Sequence, residues 1–209
     1  MAVLSVVATV VDDDASAVLV AGYEEEAGPV DRATLSYFVA LANVTRGRPI
    51  PAERLEVVAQ HYEHIGGRSP LNELTFRQAN ALGHALRASG PEVPVFVGMR
   101  NWHPFLIDTL RAMAQQGVRR ALALILSTFE SEAGWQRYAA DVEAARSALV
   151  EAGDPVPEVR FAPPWSERAG FVDAAACLVA QTLARVPAAR RLQSELLFTA
   201  HSIPTAMAG

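Results

Sequence analysis

At 209 residues, 51% hydrophobic and 20% charged, the chain can bury one sizeable core. Its formal net charge of -5, without a densely basic stretch, argues against nucleic acid as a partner. The single cysteine, Cys177, can form no internal disulfide and fits a reducing, cytoplasmic setting.

The chain opens with MAVLSVVATVV, which is apolar but carries no basic region ahead of it, and Asp12, Asp13 and Asp14 follow where a cleaved leader would have small residues. It is also shorter than the about 20 apolar residues a membrane span needs. Residues 1–15 are therefore expected to be an extension, a short strand or a disordered tail, and no transmembrane segment is expected in the chain. The remainder, 16–209, is expected to form a single α/β domain.

SAVLVAG (16–22) reads as the first strand. PAERLEVVAQHYEHI follows as a helix, with Pro51 at its start, Leu55, Val58, Ala59 and Tyr62 at helical spacing, and Gly66 and Gly67 as a stop. Asn72 is expected to cap NELTFRQANALGHALRAS, which ends at Gly90. PVFVGM (94–99) is the second strand. In HPFLIDTLRAMAQQG, Leu106, Leu110, Met113 and Ala114 share one helix face, Pro104 is expected to start the helix, and Gly117 closes it. RALALIL (120–126), VPEVRFA (156–162) and ELLFTA (195–200) read as further strands. The proline-rich EAGDPVPEVRFAPPWSER reads as a long surface loop around one of them, and Cys177 as a small buried helix residue.

These apolar runs lack a polar alternate, as expected when both faces of a parallel sheet are covered. Alternating with helices, they predict a doubly wound, mostly parallel sheet flanked by helices.

Ligands in such sheets bind outside the carboxyl ends of the strands, so the residues after each strand are the candidates for chemistry. Tyr23 and the run Glu24, Glu25 and Glu26 follow the first, and Arg100, Asn101, Trp102 and His103 the second. Ser127, Thr128, Phe129, Glu130 and Ser131 follow the third, and His201 the last. The chain has no zinc-site spacing, dinucleotide fingerprint, phosphate-binding loop or serine elbow. Read by themselves, these residues describe a pocket with a histidine, a phenol and hydroxyls and name no substrate.

Three stretches in order, HYEHIGGRSPLNE, GMRNWHPFLIDTLRAMAQQGVRRALAL and FTAHSIPTAMA, resemble the N-terminal part of a ferrochelatase. NVTRGRPIPAERLEVVAQHY is similar to the bacterial coproporphyrin type. The resemblance runs from Ser16 onward and implies the N-terminal half of a two-domain chelatase-like fold. It implies insertion of ferrous iron into coproporphyrin III or protoporphyrin, in heme synthesis, with iron as substrate and no prosthetic group. Two pyrrole protons must leave as the metal enters, which calls for a positioned base. The resemblance implies that His201 is that base or a metal ligand, since a neutral imidazole suits both tasks. It places Tyr23 near the metal, its phenol oxygen an axial ligand, and it matches Arg46, His61, Tyr62, Ser69 and Tyr138 to positions that hold the ring or its propionates. His61 stands where some relatives carry arginine. Asn101, Trp102, His103 and Pro104 match a family segment to which a structural role is assigned.

Three departures stand beside the resemblance. YEEEAGP replaces a small, glycine-containing turn after the first strand, and STFESEAGW puts Glu130 and Glu132 where hydroxyls are expected, so both loops bring negative charge towards an anionic substrate. The family's second half, which supplies a glutamate opposite the histidine, has no counterpart before the chain stops at Gly209. Slow or absent turnover by this chain alone is therefore expected, with a homodimer or a second chain supplying the missing half. The alternative expectation is a non-catalytic homologue that binds a tetrapyrrole, a metal or a partner protein. The lone Cys177 cannot supply the thiolates of an iron-sulfur cluster.

Overall fold

The computed structural model describes residues 17–22, 51, 53, 56, 57, 60, 63, 64, 70–90 and 92–198. Four parallel strands form its sheet: β1 (Ala17–Gly22), β2 (Val95–Met99), β3 (Arg120–Ile125) and β4 (Glu158–Phe161). Their spatial order is β2-β1-β3-β4, with Leu19 paired to Phe96 on one side and to Ala123 on the other. The expected mixed α/β arrangement, a small parallel sheet flanked by helices, is what forms.

Strand β3 explains why the sheet is covered twice. Ala121, Ala123 and Ile125 belong to one core cluster and Leu122 and Leu124 to the other, so the strand has no polar face to offer solvent. On the first face lie α2 (Leu106–Gln115) and α3 (Arg137–Glu151), which contribute Leu106, Leu110, Met113, Tyr138, Val142 and Leu149. On the second lies α1 (Leu71–Ser89), which contributes Ala79, Leu82 and Leu86 at helical spacing. Two further helices follow β4, α4 (Ala169–Arg185) and α5 (Ala188–Arg191).

Close approach of α2 to the sheet depends on one missing methyl. A Cβ placed on Gly98 would lie 2.9 Å from Leu106 Cδ2 and 3.3 Å from Leu19 Cδ1. The far end of α2 closes as its sequence predicts: Gly117 adopts φ 81°, and Val118 N donates to Met113 O at 3.0 Å. Of the face predicted for this helix, Leu106, Leu110 and Met113 are buried and Ala114 half-buried.

Other expectations are corrected. Asn72 does not cap α1. Pro70 stands at the N-cap position with no side-chain cap, and Asn72, one residue inside the helix, is buried with its Oδ1 unpartnered. Pro104 does not start α2, because the chain between Met99 and Phe105 closes on itself first, Met99 N donating to Pro104 O at 2.8 Å, and Phe105 becomes the N-cap residue. Cys177 is exposed, because α4 buries none of its residues among those described. The expected last strand is absent over Glu195–Phe198, which is irregular and exposed and pairs with no strand of the sheet, although the outer edge of β4 carries no described partner. Thr199 and Ala200 of that expected strand lie outside the described residues, as does the 1–15 extension. The proline-rich stretch is more than a surface loop: Trp165 is buried within it, its Nε1 donating to Ile125 O at 2.8 Å.

Two stability measurements check this account. Gly98→Ala should lower the urea midpoint by an amount corresponding to about 1–3 kcal/mol, the usual cost of overpacking, while an unchanged midpoint would contradict the close approach of α2. Trp165→Phe leaves a void and strands the Ile125 carbonyl, and is expected to cost about 1–3 kcal/mol in the same assay.

Candidate functional site

In a sheet of order β2-β1-β3-β4 the chain leaves β1 towards one edge and returns from β2 to the other side. The crevice where ligands collect lies at that switch, between the carboxyl ends of β1 and β3. Tyr23 and the three glutamates after it, on the β1 side, lie outside the described residues.

On the β3 side the loop is fixed by backbone and hydroxyl contacts. Thr128 O accepts from Trp165 N at 3.2 Å and from Ser166 N at 3.1 Å, tying the loop to the segment after β4. Ser131 Oγ accepts from Gly134 N at 3.1 Å and opens a one-turn π-helical stretch, Glu132–Gln136, that breaks at Gly134 and leads into α3. The stretch is a kink between two helical pieces, with Gly134 at φ -103° and ψ -107°. A Cβ on Gly134 would sit 2.5 Å from Ser127 Oγ and 2.8 Å from Ser131 Oγ, so a glycine is what lets the two hydroxyls converge. Glu130 and Glu132 are both exposed. Phe129 is 65% exposed, and its ring meets Phe171 edge-on at 6.5 Å; Phe171 in turn meets Trp165 at 5.3 Å.

Beside this loop, at the end of β2, Arg100 Nε donates to Asp141 Oδ2 across to α3. The guanidinium also lies over the Tyr138 ring, 4.7 Å from its centroid. Both groups of the ion pair are substantially buried, with side-chain exposures of 12% for Arg100 and 33% for Asp141. A cleft of about 390 Å³ lies here, lined by Met99, Arg100, Asn101, Phe105, Leu106 and Asp141 among others. Trp102, His103 and Phe105 form an edge-to-face series in the same segment, with centroids 5.5 and 4.5 Å apart, and Phe105 lines the cleft.

Of the residues expected at the site, Tyr138 is the one described: it is 5% exposed, in the core beneath Arg100. His201, Tyr23, Arg46, His61, Tyr62 and Ser69 lie outside the described residues, so their mutual geometry is not part of this structure. The four described residues of the GMRNWHPF segment that were assigned a structural role surround the β2 end, with Asn101 buried and His103 exposed. Sequence reading missed Asp141 as the partner of Arg100; the available signal was its position three residues after Tyr138 on one helix face. It also missed the brace behind Phe129, which joins Phe129 to Phe171 from a separate segment and has no local signature. Among the described residues, no group of three or more His, Cys, Asp or Glu side chains could hold a metal ion, and no helix is long and apolar enough to cross a membrane.

The ferrochelatase family model matches residues 31–209. The chain is 45% identical over 168 residues to a coproporphyrin III ferrochelatase of Frankia alni, covering 80% of this chain and 42% of that protein. It is 40% identical to one of Nocardia farcinica, covering 79% and 46%, and 41% identical to one of Mycolicibacterium smegmatis, covering 78% and 47%. The chain thus spans somewhat less than half the length of these relatives. With a family match across most of its length and a parallel sheet whose switch-point loop carries hydroxyls and an exposed phenyl ring, the chain belongs to the ferrochelatase family.

Proposed function

We propose that the chain is the first of two similar α/β halves of a coproporphyrin III ferrochelatase, working in heme synthesis in the cytoplasm. The opposing half is supplied in the same polypeptide, by a second copy or by a partner chain. The observation that carries this reading is the 40–45% identity to the coproporphyrin III ferrochelatases named above across about four-fifths of this chain.

The chemistry asks little of the fold beyond positioning. Ferrous iron enters as a substrate, not as a resident cofactor, and two pyrrole protons leave. The His201 imidazole takes a proton or holds the incoming metal, and the Tyr23 phenol acts beside it. Arg46 and Ser69 hold propionates, because a guanidinium fork and a hydroxyl match carboxylate geometry. His61 and Tyr62 complete the contacts to ring or propionates. Tyr138 acts through Arg100: buried beneath the guanidinium, it holds that charge at the end of β2. The alternative, tetrapyrrole binding without insertion, differs only in the second stage of the test below.

Titration of coproporphyrin III with the purified chain is expected to shift the Soret band to saturation. Anaerobic addition of ferrous iron should then give metalloporphyrin bands faster than a protein-free control when the opposing half is present, and slowly or not at all with this chain alone. His201→Ala should slow insertion by about a hundredfold or more, the range of general-base contributions. Binding without insertion even when the opposing half is present would assign the chain to the non-catalytic alternative, and an unmoved Soret band under the same conditions would overturn both. In the same titration Arg46→Ala should weaken binding by roughly tenfold or more, as expected for one lost charge-assisted hydrogen bond.

A further inference from the structure

We propose that Phe129 is the surface on which the flat face of the bound tetrapyrrole stacks, an inference that rests on the function proposed above. Position carries the first part of the argument. Phe129 follows the central strand β3 by four residues, on the loop bordering the β1/β3 crevice. Exposure carries the second. A single exposed phenylalanine is ordinary on a protein surface, but such a ring is usually free to rotate away. Phe129 is not. The carbonyl of Thr128, its chain neighbour, accepts two backbone hydrogen bonds from Trp165 and Ser166. Its ring is braced edge-on by Phe171 at 6.5 Å, and Phe171 by Trp165 at 5.3 Å. Trp165 is itself buried and held to Ile125 O at 2.8 Å. The result is a phenyl ring anchored through two aromatic neighbours to the last residue of the strand that bounds the crevice, yet 65% exposed.

Such an arrangement is preorganised for a planar aromatic ligand. Little side-chain entropy remains to be lost on binding, and a ring offers its quadrupole as well as its apolar area to a macrocycle. The flanking loop residues contribute no comparable surface: Glu130 and Glu132 are exposed and charged, and Ser127 and Ser131 converge on Gly134. Phe129 is thus the apolar group that this loop presents to a ligand.

The test compares wild type with Phe129→Ala and Phe129→Tyr by Soret titration with coproporphyrin III, alongside urea midpoints. Because the ring is mostly exposed, both variants should unfold at the wild-type midpoint. Phe129→Ala should weaken porphyrin binding roughly five- to a hundredfold, the span found for stacking on one aromatic side chain. Phe129→Tyr, which keeps the ring, should bind within about twofold of wild type. Equal affinity of Phe129→Ala and wild type would overturn this inference and leave the proposed function standing. A wild-type chain that binds no porphyrin would overturn both.

Discussion

Everything in the fold follows from the double burial of β3. A strand reading RALALI has apolar side chains on both faces, and after Arg120 every residue of it is buried. Such a strand can only be central, with parallel neighbours on its two edges and a helical layer on each side. That constraint sends α1 to one face and α2 and α3 to the other, and the chain must cross over between them. Crossing over creates the switch between β1 and β3, the place where ligands collect in such sheets. The site is therefore a consequence of topology first and of side chains second.

Side chains then make the crevice edges rigid in two ways. On the β3 side the ties are a tryptophan in the core and backbone bonds to Thr128, which connect the loop to the segment after β4. On the β2 side the tie is ionic. Arg100 is removed from water against Tyr138 and Asp141, and a buried charge of this kind is tolerated because its partner and the ring face replace lost solvation. Removing Asp141 alone would leave that charge uncompensated, so the pair couples the angle of α3 to the end of β2. Tyr138, buried beneath the guanidinium, is part of the support beneath that strand end.

Much of this architecture was legible in the residues. The runs at 94–99, 120–126 and 156–162 contain β2, β3 and β4, and Gly117 ends its helix, because apolar runs between turn residues and a left-handed glycine are local signals. The errors occur where local signals compete with tertiary ones. Asn72 has good capping chemistry, but Pro70 takes the cap position two residues earlier and leaves the asparagine in the buried part of the first turn. Glu195–Phe198 has the composition of a strand, but a strand exists only beside another, and nothing in a tetrapeptide reports whether an edge is at hand. Cys177 sits in an apolar helix whose residues are nevertheless exposed, since apolar composition says that a helix has a surface to cover and not that it is covered. At the site, sequence reading singled out the loop residues that follow β2 and β3, among them Arg100 and Phe129. The brace behind Phe129 was not legible, because it is assembled from Phe129, Phe171 and Trp165 on separate segments.

The acidic loop after β3 raised the sharpest objection to an anionic ligand, and its geometry changes the weight of that objection. Glu130 and Glu132 are exposed, so their charges sit in high dielectric, where repulsion at 4 Å is about 1 kcal/mol and is screened further beyond about 8 Å at physiological ionic strength. A macrocycle carries its propionates at its rim, several ångströms from its centre. Stacked on an uncharged ring, it could keep those carboxylates away from the glutamates and turn them towards arginine. The cost of the two glutamates then becomes a preference for one orientation of the ligand in place of a bar to binding. On the proposed stacking, the loop that repels the rim in one direction would accept the ring in the other.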